Sequence, residues 1–389
     1  MENAQFAMKT IAGGTGDYCT VRHIVVAGTQ EAVGERLAGV ARSEHGVEPL
    51  ECADPILVAT RRRWFELFYP QLLERARGVA EHFGLDPFLA DREFASLPLG
   101  ITFPGCSVAW LPSKRSSTGA PLLSRNFDFT TLTLAELIGG SAGPDEPALA
   151  GNPYVIETYP DSGLASVVIC AFDLLSGATE GINEAGLVVA LLADDESSNP
   201  EPTFDAQVGI GEHEVVRFLL ETCSNVTEAA AAMRLAKHYY TFVRCHYLIG
   251  DASGRSLVWE HSPGWNQEHL VWDSDVQVVT NHLLHRHPDP SDLPAEPGNG
   301  WTYDRYRSLS RAVDDPQLLT PEDLIERHAG VRIHEPDLPV RTLWHSILDV
   351  ASRELRASFY LCDDGGNERR TPYHAFSLRQ PSDACRVPR

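Results

Sequence analysis

The chemistry in this chain gathers around Cys106. Gly105-Cys106-Ser107 precedes Ser124-Arg125-Asn126-Phe127-Asp128 by a short connector. A thiol is a weak nucleophile and a thiolate a strong one, and a neighbouring cation lowers the thiol pKa. Arg125 is placed to be that cation, and Asp128 to hold an amine. A cut between Gly105 and Cys106 would give Cys106 a free α-amine beside its own thiol. Such an amine titrates near pH ~8, so nucleophile and base would occupy one residue. Taken by itself, Cys106 reads as a buried, inert core cysteine, the commoner fate of that residue type.

The flanking elements must bring these groups together. Residues 101–103 and 106–110 are apolar runs broken by Pro104-Gly105, and 122–129 is a second strand-like run. Between them, 112–119 is polar and turn-rich, so the stretch reads as a β-hairpin that sets Arg125 and Asp128 alongside Cys106. Upstream, residues 1–20 look loosely ordered, 22–28 reads as a strand, and 29–43 as a helix with Thr29 at its N-cap. Residues 55–84 carry helical periodicity and 85–99 a shorter helical stretch.

Downstream the pattern changes to strands at 154–158, 165–170 and 188–192, then helices at 211–223 and 227–236. Strands follow at 245–250, 257–260 and 276–280, helices at 303–313 and 321–328, and strands at 342–348 and 357–361. Strands, a helix pair and further strands make an α+β pattern.

Composition narrows the function classes. The chain has 389 residues with 32 Lys+Arg against 54 Asp+Glu, a net charge of −22. That balance argues against nucleic acid or an anionic membrane, because phosphate binding needs a basic face. The eight cysteines are scattered without a CxxC pair, which fits neither a disulfide framework nor a zinc site. No signal peptide and no membrane-length apolar run is visible, so a soluble, cytoplasmic protein is expected.

Five segments in order carry a resemblance: Gly105-Cys106-Ser107, Ser124-Arg125-Asn126-Phe127-Asp128, Gly181-Ile182-Asn183-Glu184-Ala185-Gly186-Leu187, Thr280-Asn281-His282 and Thr342-Leu343-Trp344. Together they resemble the N-terminal-nucleophile (Ntn) hydrolases of the isopenicillin N acyltransferase type, relatives of penicillin V acylase and bile salt hydrolases. The likeness runs from about residue 61 to the C-terminal strands. It implies a four-layer αββα sandwich. It also implies self-cleavage at Gly105–Cys106 into a mainly helical α-chain, 1–105, and a β-chain, 106–389, folded as one unit.

The resemblance assigns roles one by one. Cys106 matches the nucleophile and its new amine the base. Arg125 matches the arginine that polarises the thiol, and Asp128 the aspartate that holds the amine. Asn281 matches the oxyanion-hole asparagine, a donor worth on the order of 3 kcal/mol of barrier, and Arg305 matches a late arginine. A second oxyanion asparagine of bile salt hydrolases is replaced here by Ala193 or Asp194. Either a backbone N–H substitutes, or Asp194 faces the substrate and favours a cationic group.

The reading is a cysteine amidohydrolase acting on a linear, non-peptide amide through an acyl-thioester on Cys106, with no cofactor and a small-molecule amide or acyl substrate. Acyl transfer from acyl-CoA or an amide onto an amine is the alternative. A papain-like pairing of Cys106 with His246 or His282, and an uncleaved binding protein, are two others. Asp194, Trp301 and Tyr303 are candidate substrate contacts. His282, His285 and His287 superficially suggest a metal site, but their spacing suits no single face, and no metal is expected. A homo-oligomer is left open.

Overall fold

The structure is a computed structural model that describes residues 5–100, 105–143, 146–196, 201–261, 267–272, 275–295, 300–334 and 338–378. The apolar run at 101–103 therefore lies outside the described residues. In chain order, β1 (Gln5–Ala12) and β2 (Val21–Gly28) lead into α1 (Gln30–His45). The short β3 (Leu50–Glu51) and β4 (Arg92–Glu93) bracket α2 (Pro55–Phe68) and α3 (Pro70–His82). β5 (Gly105–Leu111) and β6 (Leu122–Thr130) form the hairpin, followed by α4 (Leu134–Leu137). Then come β7 (Tyr154–Pro160), β8 (Ser166–Cys170), β9 (Glu180–Asn183), β10 (Val188–Ala193), α5 (Glu214–Thr222) and α6 (Val226–Leu235). The chain continues through β11 (Cys245–Gly250), β12 (Ser256–His261), β13 (Gln267–Trp272), β14 (Gln277–Val279), α7 (Gly300–Val313) and α8 (Pro321–Ala329). It closes on β15 (Val340–Asp349), β16 (Glu354–Asp364), β17 (Asn367–Arg370) and β18 (His374–Ser377).

Local signals start and stop the helices. Thr29 Oγ1 accepts the Ala32 N–H at 3.1 Å at the head of α1, and Gly46, with φ 65°, closes it. Asp54 takes the N–H groups of Ile56 and Leu57, and Pro55 begins α2 where no N–H is needed. α1 and α3 then touch backbone to backbone. A Cβ at Gly34 would lie 1.9 Å from the Arg75 carbonyl oxygen, and one at Gly78 would lie 1.8 Å from that of Glu31.

The strands make two large sheets. One runs β1-β2-β7-β8-β9-β10-β11-β12-β13, the other β14-β5-β6-β15-β16-β17, with β18 beside β16. Period-2 alternation along β5 and β6 turns Cys106, Val108, Trp110, Leu123 and Phe127 toward the first sheet, where Val167, Ile169, Val188 and Ala190 meet them. Residues of α1, α3, α5 and α6 cover the outer face of the first sheet, and residues of α7 and α8 that of the second. The result is helices, sheet, sheet, helices: the expected αββα sandwich.

Three expectations change. Residues 85–99 hold no helix. Asp86 caps a turn through the Phe88 N–H, and Leu97 and Leu99 bond outward to Asp173 and the Phe172 carbonyl. Residues 5–12, read as loosely ordered, form β1 against β2. β13 pairs β12 without having been marked by the sequence. The segment before Cys106 thus supplies two strands to the nine-stranded sheet besides its helices.

Candidate active site

The hairpin determines which groups meet Cys106. In the β5–β6 register Cys106 opposes Phe127, Val108 opposes Arg125, and Gly105 opposes Asp128. Arg125 therefore lies on the thiol's own face, one diagonal step along, and its Nη2 is 3.0 Å from Cys106 Sγ. Asp128 projects to the opposite face, toward α7. The expectation that both side chains stand alongside the thiol holds for Arg125 alone.

Asp128 is joined to Cys106 through a third residue. Arg305 on α7 donates from Nη1 to Asp128 Oδ2 at 2.9 Å and to the Cys106 carbonyl at 2.7 Å, and from Nη2 to Asn281 Oδ1 at 2.7 Å. Thr342 Oγ1 donates to the other oxygen of Asp128 at 2.5 Å. Asn281 Oδ1 also accepts the backbone N–H of Cys106 at 2.9 Å, while its Nδ2 donates to the Ala193 carbonyl at 2.9 Å. The backbone nitrogen and carbonyl of Cys106 are thus both clamped, with Asp128, Arg305 and Asn281 in one buried network.

Electrostatics differ from the simplest expectation. Burial pushes the Cys106 thiol up to about 11, although Arg125 pulls it down. The cost of a charge in the dry core exceeds what one guanidinium returns, because that guanidinium is shared with other acceptors. Arg125 pairs with the Glu180 carboxylate through Nη1, which also donates to the Thr179 carbonyl at 2.8 Å, and its Nη2 donates to the Leu191 carbonyl at 2.5 Å. A thiol raised that far is protonated at neutral pH. Burial also raises the Asp128 carboxyl, against the pull of Arg305 and Thr342.

Glu180, one position before the Gly181–Leu187 segment, was missed by sequence reading. It is fully buried and collects Arg125, Thr179 Oγ1 at 2.5 Å, Trp344 Nε1 at 2.8 Å and Ser346 Oγ at 3.0 Å. The available signal was a charged residue just before Gly181-Ile182, close to the apolar run 187–193, which calls for a buried partner. Thr302 was missed too; its Oγ1 accepts the Asn281 N–H at 2.8 Å and so holds the loop that carries Asn281.

The histidines do other work. His246 Nε2 lies 2.7 Å from the Thr280 carbonyl, and its Nδ1 is 3.3 Å from Glu260. Burial opposes its charge, but Glu260 outweighs that and holds the imidazole above its ordinary value. Burial opposes the Glu260 charge as well, yet hydrogen bonds from His246 and His285 hold that carboxyl down to about 2. His282 Nδ1 sits 3.1 Å from Thr280 Oγ1. Among the described contacts neither His246 nor His282 meets the Cys106 thiol, which removes the basis for a papain-like pair. Among the described residues no group of three or more His, Cys, Asp or Glu side chains is arranged to hold a metal ion.

The remaining candidates separate. Asp194 is buried with its carboxylate accepting the Glu196 N–H at 2.8 Å, and the neighbouring Asp195 N–H donates to the Asn281 carbonyl at 2.8 Å. Tyr303 donates to Glu196 at 2.7 Å, and His287 lies 2.6 Å from the same oxygen. The side chain of Trp301 lies outside the described residues. No helix among the described residues is long and apolar enough to cross a membrane.

Among solved structures, the chain is similar to penicillin V acylase from Agrobacterium tumefaciens at 18% identity, covering 65% of this chain and 82% of that one with a TM-score of 0.45. It is also similar to a conjugated bile acid hydrolase from Clostridium perfringens at 12% identity, covering 70% and 97%, with a TM-score of 0.49. An N-acylethanolamine-hydrolyzing acid amidase ortholog from Caenorhabditis elegans matches at 13% identity, covering 63% and 93%, with a TM-score of 0.41. Likenesses this distant say nothing about chemistry. No curated protein sequence matches the chain significantly. A family profile matches residues 115–359, which include Arg125, Asp128, Asn281 and Arg305 and begin after Cys106. That match spans more than half of the sequence, and the chain belongs to the acyl-coenzyme A:6-aminopenicillanic acid acyl-transferase family.

Proposed function

We propose that this protein is a cysteine Ntn amidohydrolase that first cleaves itself between Gly105 and Cys106. The observation that carries the reading is the double clamp on one residue: Cys106 Sγ 3.0 Å from Arg125 and Cys106 N 2.9 Å from Asn281 Oδ1. In the first reaction the thiol adds to the Gly105 carbonyl carbon. The S–C bond forms, the C–N bond to Cys106 breaks, and the thiol proton passes to the departing nitrogen. Water then hydrolyses the thioester, leaving residues 1–105 with a carboxylate and 106–389 with a free α-amine.

That amine stays beside Asn281 Oδ1, within the Asp128–Arg305 network, and becomes the base for the thiol of the same residue. The high pKa of the buried thiol gives the amine its purpose: without a proton acceptor nearby, little thiolate exists at neutral pH. The thiolate attacks a linear amide, the amine leaving group takes the proton back, and water frees the acyl group. Asn281 Nδ2 carries a second hydrogen beyond the one given to Ala193, and we assign that hydrogen to the developing oxyanion. Asp128 and Arg305 orient the amine. The family's name favours a second reading, acyl transfer from a thioester onto an amine, with the same acyl-Cys106 intermediate taken by an amine in place of water.

Intact mass under denaturing conditions tests the proposal. Two fragments meeting at Gly105/Cys106 are expected. A single 42.8 kDa species that does not cleave on incubation would sink it.

A further inference from the structure

A recess of about 230 Å³ opens at the end of the sandwich where Cys106 begins its strand. Its walls come from the segments that follow β8, follow β10 and precede β11, which leave the first sheet at one common end. Arg125 marks that end, since it bonds the Thr179 and Leu191 carbonyls there. Phe172 lines the recess, and its ring centroid lies 6.2 Å from that of Phe127, the register partner of Cys106. Gly100 also lines it, and five chain steps separate Gly100 from Gly105, a reach of at most about 18 Å. The volume falls below the ~300–1,000 Å³ of sites that enclose a whole drug-sized ligand, so it suits one arm of a substrate.

The lining has a definite chemistry. Phe172, Phe204, Tyr239 and Phe242 supply aromatic surface. Glu93, Asp173, Asp205, Glu212 and Glu214 line the recess with one guanidinium, Arg61, whose Nη atoms are paired with Glu93 at 2.9 Å and Glu214 at 2.6 Å, and Asp173, Glu212 and Glu214 also accept backbone N–H groups. A second, separate observation points to a donor. His213 lines the recess, and its buried Nε2 has no partner among the described residues. The Glu212 carboxylate, 3.7 Å from His213 Nδ1, favours the ring proton on that side, which leaves Nε2 as an acceptor. Burial holds this imidazole below its ordinary pKa, against the pull of Glu212 and Asp173.

We propose that this recess is an acyl-arm subsite that selects a primary ammonium or similar cation at the far end of an aliphatic or aromatic chain. This rests on the amidohydrolase reading for the site next door. The leaving amine must depart while the acyl arm stays bonded to Cys106, so the recess suits the acyl side. Aromatic faces accept both the chain and the cation, the carboxylates supply the field, and His213 Nε2 accepts one N–H.

Binding to the Cys106→Ala protein tests the subsite without any chemistry, using 6-aminohexanamide, heptanamide and adipamic acid in calorimetry. The ammonium compound is expected to bind at least about ten-fold tighter than the neutral one, the acid weakest, with the gap shrinking in high salt and in His213→Phe. Equal binding of the ammonium and neutral compounds, preference for the acid, or no binding of any overturns the subsite, whatever the variant does. The p-nitroanilides of the same three acyl groups, given to cleaved wild-type protein, separate the two claims. Turnover without charge preference defeats the subsite and leaves the amidohydrolase standing. Ammonium-selective binding with no turnover of any anilide does the reverse.

Discussion

Two fully buried arginines invite comparison, Arg75 in the helical layer and Arg125 between the sheets. Each is paired with a buried glutamate and each also bonds backbone carbonyls. Arg75 gives Nη2 to Glu221 at 2.5 Å, Nε to Gln30 at 3.0 Å and Nη1 to the Leu175 carbonyl at 3.0 Å, and Tyr69 completes the cluster by donating to Glu221 at 2.6 Å. Every acceptor there is a permanent part of the fold, and the cluster ties α1 and α3 to α5. Arg125 makes a similar set with Glu180, Thr179 and Leu191, but spends one further donor on a thiol. A buried ion pair is therefore not evidence of chemistry in itself. What distinguishes Arg125 is a partner that can change its bonding.

The comparison can be broken at several points. The largest effect is expected from Cys106→Ala, which removes the partner: mass spectrometry should find only uncleaved chain and assays no turnover, while the fold survives. Continued cleavage would remove Cys106 from its role. Next, Arg75→Gln and Arg125→Gln each remove the closest cation from a buried carboxylate, a loss of about 3–5 kcal/mol in urea unfolding, smaller for Arg75 because Arg217 stays 4.0 Å from Glu221. Per folded molecule, Arg75→Gln should cleave and turn over normally, whereas Arg125→Gln should slow both by on the order of 10²–10³. Equal rate losses in the two variants would erase the distinction.

A smaller effect concerns pH. The Cys106 thiol is raised from an ordinary 9.0 to about 11. The folded state thus holds this proton more tightly than the unfolded one. Its contribution to stability is complete below pH ~9 and disappears as pH rises toward about 11. Iodoacetamide labelling read by mass spectrometry should leave Cys106 of uncleaved chains unmodified at pH 8, with modification appearing only near the upper end of that window. Cleaved chains in the same sample should label at pH 8. Equal labelling of both species at pH 8 would show that the amine is not needed to make thiolate. The smallest effect belongs to Gly34→Ala, which forces α1 off α3 at a cost of about 1–3 kcal/mol. It should lower the melting temperature and leave cleavage alone; a change in cleavage rate would mean that the helical layer feeds the site directly.

Much of the fold was legible because its signals are local. The Thr29 cap, the helix beginning at Pro55 and the 106–129 hairpin all depend on residues a few positions apart. Where a local signal was weak, the reading failed. Residues 85–99 were apolar enough for a helix but are held by bonds to Phe172 and Asp173, which no periodicity could reveal.

The sequence alone determined that a cysteine, an arginine and an aspartate share one hairpin, because strand register follows from turn placement and alternation. Alternation also dictates that Arg125 and Asp128 fall on opposite faces, a consequence visible only once Cys106 is paired with Phe127. Tertiary structure decided the rest. Glu180 lies 55 positions from Arg125, Arg305 lies 177 from Asp128, and Thr342 lies 214 from it. The thiol pKa, too, is a property of the assembled core, since it is the balance between burial by both sheets and a guanidinium whose other donors are engaged elsewhere. Local spacing names the candidate groups; only packing sets how much charge each can carry.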